Sequence, residues 1–162
     1  MNIEIICIGK LKEPWLREAE KEYLKRLSPY CKTRITELRE ARLPAGAGYA
    51  EEEAVRAGEG QALLAAAEKQ GNAAFVFALD MRGRQLTSEQ FAKKTEELGL
   101  GGKSTLVFLI GGSFGFPETV REKADAILSF SEMTFPHQLT RVILLEQIYR
   151  SQKILRGETY HK

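Results

Sequence analysis

The sequence is short of the residues that build metal centres. It holds two cysteines, Cys7 and Cys31, and two histidines, His137 and His161, with no CxxC pair and no metal-ligand spacing. A zinc site is not expected, nor any other metal. Cys7 lies in an apolar run and reads as a small core residue, and Cys31 reads as structural. Charge of one sign is scarce too: 24 Lys and Arg face 22 Asp and Glu, a formal net charge of +2. That balance excludes a uniformly basic surface, so any RNA contact must come from local patches. No apolar run approaches the ~20 residues that span a bilayer. The apolar stretch 3–8 has no basic segment before it, which argues against a signal peptide and for a cytoplasmic protein. There is no GxSxG, no P-loop lysine and no pair of catalytic carboxylates, so a hydrolase finds no support.

What is present fits one domain. A chain of 162 residues buries roughly 70% of its unfolded surface, enough for one good core. Two stretches are locally basic. Residues 10–34 carry eight Lys or Arg against four Glu, and residues 150–162 hold Arg150, Lys153, Arg156 and Lys162 against Glu158 alone. Each is either an RNA-facing patch or a solvated mixed surface.

Along the chain, apolar runs alternate with helical patterns. Residues 3–8 read as a buried strand ended by Gly9. Pro14 opens a helix to about Leu27, with Trp15, Ala19, Tyr23 and Leu27 at four-residue steps. A strand at 33–38, a helix at 51–70 and a strand at 73–79 follow, the last ending at Asp80 before a turn that contains Gly83. Thr87 or Ser88 caps a helix to about Leu98. Residues 105–110 form a fourth strand. Pro117 takes the first position of a short helix. A short strand at 126–130 and a long helix at 138–156 complete the pattern, and Gly157 stops the helix. Continuous apolar strands alternating with helices predict an α/β fold: a mostly parallel sheet with helices on both faces.

In such sheets ligands bind beyond the carboxyl ends of the strands. Three ends stand out: Leu79-Asp80, Ile110-Gly111-Gly112 and Phe130-Ser131. Gly111 and Gly112 let a ligand approach the backbone, or simply make a tight turn. The loop Ser131-Glu132-Met133-Thr134-Phe135-Pro136-His137 can hold an adenine by main-chain hydrogen bonds, or be an ordinary connection; His137 can cap it. The terminal Tyr160-His161-Lys162 can stack on a base, move a proton and bind a phosphate, or be a solvated tail.

These segments occur in a fixed order: Ile8-Gly9-Lys10-Leu11-Lys12, Leu79-Asp80, Leu109-Ile110-Gly111-Gly112, Met133-Thr134-Phe135-Pro136-His137-Gln138, Arg141, Glu146-Gln147-Ile148-Tyr149-Arg150 and Tyr160-His161-Lys162. The ordered set closely resembles the ribosomal RNA large-subunit methyltransferase H family, the pseudouridine N3-methyltransferases of the SPOUT class, over residues 1–162 as a single domain. The resemblance implies a carboxyl-terminal trefoil knot, a feature no general folding rule would suggest. It implies S-adenosylmethionine as cofactor, a homodimer, and the assembled ribosome with its large-subunit rRNA as partner. It places Leu79, Gly111, Phe130, Ser131, Glu132, Met133, Thr134 and Phe135 at the cofactor, and Tyr160, His161, His137 and Arg141 at the chemistry. Glu132 puts an acid where relatives of this pattern can carry a basic or neutral residue. A binding module without turnover and a transfer-RNA methyltransferase are the competing readings; the first needs no Tyr-His-Lys terminus, and the second often carries an extra RNA-binding domain.

Overall fold

A strand that is apolar at every position must be covered on both faces, because successive side chains point to opposite sides. Strand β1 (Asn2–Ile8), apolar except at Asn2 and Glu4, follows this rule. Ile3, Ile5 and Cys7 enter one buried cluster, and Ile6 and Ile8 enter another. The computed structural model describes residues 1–160, and the two terminal residues lie outside that description. After β1 come α1 (Pro14–Leu27), β2 (Lys32–Leu38), α2 (Tyr49–Glu68), β3 (Ala74–Gln85) and α3 (Ser88–Leu100). Then follow β4 (Thr105–Ile110), α4 (Glu118–Lys123), β5 (Ala126–Ser129) and α5 (His137–Leu155). The five strands form one sheet in the order β2-β1-β4-β3-β5, and every pairing is parallel.

Helices cover both faces, as the continuous apolar runs require. On one face Leu27 of α1, Phe91 of α3 and Leu144, Leu145 and Ile148 of α5 pack on Ile5, Phe77 and Phe108. Phe77 and Phe108 stack with ring centroids 5.1 Å apart. On the other face Leu63 and Ala67 of α2 and Val120 of α4 pack on Ile6, Val107 and Leu109. Each large apolar side chain so enclosed contributes about 1.5–3 kcal/mol.

Local signals set several boundaries. Pro14 sits in the first turn of α1, where its missing N–H costs nothing. Thr87 caps α3: its hydroxyl accepts from the Gln90 N–H at 3.2 Å, and Gln90 Oε1 accepts from the Thr87 N–H at 2.9 Å. Four expectations are corrected. The segment with Asp80 and Gly83 is no turn after β3, because the strand runs on to Gln85 and pairs again with β5. Leu79 and Arg84 both face Leu128, so residues 80–83 bulge out of the ladder and return. A β-carbon on Gly83 would lie 2.7 Å from the Leu128 carbonyl carbon, so only glycine permits this approach. Trp15 does not join the buried face of α1; it is 59% exposed, and Leu16 and Leu27 are the buried residues instead. Pro117 caps α4 from just outside the helix. Finally, α5 begins at His137, one residue earlier than its apolar spacing suggests.

Candidate active site

The loops after β4 and β5 and the 80–83 bulge of β3 lie side by side, and a cleft of about 650 Å³ opens between them. Its size falls within the roughly 300–1,000 Å³ usual for small-molecule sites. The floor is Leu79, Ile110, Gly111 and Leu128, and the walls are 112–116, 129–131 and 133–137. Of the residues expected at a cofactor, Leu79, Gly111, Phe130, Ser131, Met133, Thr134 and Phe135 all line this one cleft. Glu132 does not line it and is exposed. Among the residues expected at the chemistry, His137 lines the cleft, whereas Arg141 and Tyr160 do not. His161 lies outside the described residues.

The glycine loop is held from behind. A β-carbon on Gly112 would sit 2.8 Å from Glu59 Oε2 and 3.0 Å from Ile8 Cγ2. Glu59 of α2 is buried; its Oε1 accepts from the Ala41 N–H at 3.2 Å, and its Oε2 has no partner among the described residues. Burial raises the Glu59 carboxyl above the usual carboxylate range, against the pull of that hydrogen bond.

The loop after β5 is braced by its own serines. Ser129 Oγ donates to the Ser131 carbonyl at 2.8 Å, and Ser131 Oγ accepts from the Met133 N–H at 3.0 Å. Pro136 then ends the loop as the cap residue of α5. Side chains on Gly111 and Gly112 would point at Phe116 and Glu59, so the glycines let this loop pack tightly, and the serine-braced backbone faces it across the cleft. Met81 and Met133 stand more than half exposed at the rim. His137 is half-buried, and burial lowers its pKa below the ordinary imidazole value, assisted by Lys12 and Arg141 and opposed by Glu40.

Arg141, one turn into α5, is 2% exposed. Its Nη1 donates to Glu20 Oε2 at 3.0 Å and Glu37 Oε1 at 2.7 Å, and its Nη2 to the Gly9 carbonyl at 3.0 Å. Arg141 thus ties α1, β2 and the end of β1 to the helix that carries His137. A second tie runs from the Lys12 N–H to Gln138 Oε1 at 2.7 Å. Cys7 nearby is no nucleophile, since burial pushes its thiol up to about 12.

Sequence reasoning missed the arginines of the cleft. Arg56 of α2, Arg82 of β3 and Arg121 of α4 all line it. Arg121 Nη1 pairs with Asp80 Oδ2 at 2.9 Å and also holds the Phe116 carbonyl at 2.9 Å, so it joins the β3 bulge to the glycine loop. Asp80 was visible as a strand-end acid; Arg121 sits in an unremarkable helix and carried no signal. Among the described residues no group of His, Cys, Asp and Glu is placed to hold a metal. No helix among them is long and apolar enough to cross a membrane.

Tyr160 lies elsewhere. Its ring meets Tyr149 edge-on at 4.9 Å, the Arg150 guanidinium sits 4.8 Å from its centre, and its hydroxyl donates to Glu146 Oε1 at 3.1 Å. Tyr149 is twelve residues beyond His137 on α5, about 18 Å along the helix axis.

A parallel sheet with a glycine-lined cleft at its carboxyl edge is a candidate small-molecule site, and comparison with known proteins gives the family. A family described as "Predicted SPOUT methyltransferase" matches residues 1–161. The chain belongs to the SPOUT methyltransferase family. It is similar at 50% identity, over all of both chains, to "Ribosomal RNA large subunit methyltransferase H" of Clostridium beijerinckii and to the protein of the same name from Carboxydothermus hydrogenoformans. A solved probable methylase family protein from Haemophilus influenzae shares the fold, with a TM-score of 0.57 at 12% identity, covering 99% of this chain and 70% of that one.

Proposed function

We propose that this chain transfers a methyl group from S-adenosylmethionine to N3 of a pseudouridine in large-subunit ribosomal RNA, on the assembled ribosome, as a cytoplasmic homodimer. The full-length similarity to proteins named for large-subunit rRNA methylation supports the reaction. Within this family we also place a trefoil knot in the carboxyl-terminal part, where residues 80–83 press against the Ile127–Leu128 backbone.

When bound, S-adenosylmethionine supplies an electrophilic methyl group for in-line displacement. The chain's own residues supply alignment, and positioning carries much of the rate in such a reaction. Gly111 and Gly112 let their loop pack against Phe116 and Glu59 and so set the shape of the cleft. Loop 130–135 holds the adenine through its main chain. Uracil-like N3 must lose its proton as the new N–C bond forms, and an imidazole is the natural acceptor. His161 takes that proton, His137 faces the RNA from the cleft wall, and Tyr160 orders the tail beside the target base. Lys162 contacts phosphate. Arg141 acts as a positioning residue through Gly9 and α5.

The docking of Tyr160 on Tyr149, about 18 Å along α5 from His137 at the cleft, supports reading the tail as serving a second subunit's cleft. The exposed rim of Met81 and Met133 suits burial against another surface.

Mixing two inactive variants tests this. One lacks residues 158–162 and keeps its cleft; the other keeps its tail and has the cleft blocked by Gly111→Phe. The deletion should abolish methylation yet leave cofactor binding intact, and mixing should restore activity through heterodimers. Full activity of the tail-deleted protein alone, or none in the mixture, contradicts the proposal.

A further inference from the structure

The segment Glu146-Gln147-Ile148-Tyr149-Arg150 has no part in the cleft, yet its polar side chains converge. Glu146 accepts from Arg150, from Gln147 Nε2 at 2.7 Å and from the Tyr160 hydroxyl at 3.1 Å. Gln147 in turn accepts from Ser88 Oγ at 2.8 Å, which fixes the cluster to α3. Tyr149 stands between Tyr160 and the core: it packs on the main hydrophobic cluster and meets Tyr30 edge-on at 5.9 Å. The chain reverses to reach this place. Gly157 adopts φ +63°, the left-handed conformation that ends a helix. The Glu158 N–H donates to the Lys153 carbonyl at 2.9 Å, and the Gly157 N–H to that of Ile154 at 3.0 Å. Glu158 is then clasped by Lys153 and by the Tyr30 hydroxyl, the latter at 2.7 Å.

From this geometry we infer that Glu146, Tyr149 and Arg150 form a cradle that fixes Tyr160 and sets the point from which the last two residues start. They are positioning residues for methyl transfer, acting on the tail from the surface of the fold opposite the cleft of their own subunit. A tail free to wander would lose this alignment, and displacements of about 1 Å can cost 10²-fold in rate. The Tyr160 phenol keeps its proton in the cradle: burial, Tyr23 and Glu146 push it up to about 12. It therefore stays a donor to Glu146 at physiological pH. The inference rests on the proposed role of the tail in catalysis.

The test compares four full-length variants with the tail deletion: Glu146→Ala, Tyr149→Ala, Tyr149→Phe and Tyr160→Phe. Steady-state methyl transfer to ribosomes, S-adenosylmethionine affinity and amide exchange of residues 158–160 are measured for each. Glu146→Ala and Tyr149→Ala should lower kcat at least tenfold, with KM for ribosomes and cofactor affinity within twofold. Exchange of the tail amides should rise tenfold or more. Tyr149→Phe should restore kcat, because the ring and not its hydroxyl meets Tyr160. Tyr160→Phe should show an intermediate loss. If Glu146→Ala and Tyr149→Ala keep kcat within twofold while the deletion is inactive, the cradle is overturned and the tail's role stands. If the deletion itself is active, both fall.

Discussion

Gly112 and Glu59 stand closer than a methyl group would allow: a β-carbon on the glycine would lie 2.8 Å from the carboxylate oxygen. The two residues join α2 to the glycine loop that walls the cleft. Gly112→Ala must push the loop toward the ligand or the carboxylate off its bond to Ala41. S-adenosylmethionine affinity should fall about tenfold or more, a loss of ~1.4 kcal/mol. Titration calorimetry checks this, and unchanged affinity would show that the loop is not held from behind.

Glu59 also gives a pH dependence. Its carboxyl is raised by burial, so the folded chain holds this proton more tightly than the unfolded chain. The stabilisation from that proton is complete below the ordinary carboxylate range and disappears as pH rises through the raised value. Glu59→Gln keeps the neutral shape. It should match the parent near pH 4 and melt higher than the parent at pH 8. Melting curves from pH 4 to 8 decide it; an offset independent of pH would contradict the assignment.

Arg141 closes a buried arrangement whose loss leaves Glu20, Glu37 and the Gly9 carbonyl without their shared donor. Removing one partner of a buried pair costs about 3–5 kcal/mol. Both carboxylates reach solvent in part, so Arg141→Ala should lie near the low end, about 3 kcal/mol. Arg141→Lys should recover little, because one ammonium cannot span the three acceptors. Chemical denaturation measures both variants, and a loss below 1 kcal/mol for Arg141→Ala would show that the pair is not structural.

Much of this was legible in the sequence, for physical reasons. The strands at 3–8 and 105–110 are apolar at almost every position, and only burial on both faces explains such runs. Thr87 and Ser88 announced a helix start through backbone chemistry confined to one turn, and the structure gives the cap to Thr87. The cleft was foreseeable because parallel strands align their carboxyl ends, so Leu79, Gly111 and Phe130 converge without side-chain information. The strand through Asp80 and Gly83 was misread because both residues are local turn signals. Pairing with β5 overrides them, and the glycine is there for a close backbone approach. Arg56 and Arg121 were invisible because packing of α2 and α4, not local pattern, brings them to the cleft. The docking of Tyr160 on Tyr149 depends on the chain reversal at Gly157, and the glycine was readable there only as a helix stop.

The most direct measurement is transfer of a labelled methyl group from S-adenosylmethionine to ribosomes from cells lacking this gene, with free ribosomal RNA alongside. The expected result is label at N3 of a large-subunit pseudouridine, in the ribosomes and not in the free RNA. No label on either substrate, while S-adenosylmethionine still binds, would contradict the proposed reaction and leave a binding role for the cleft.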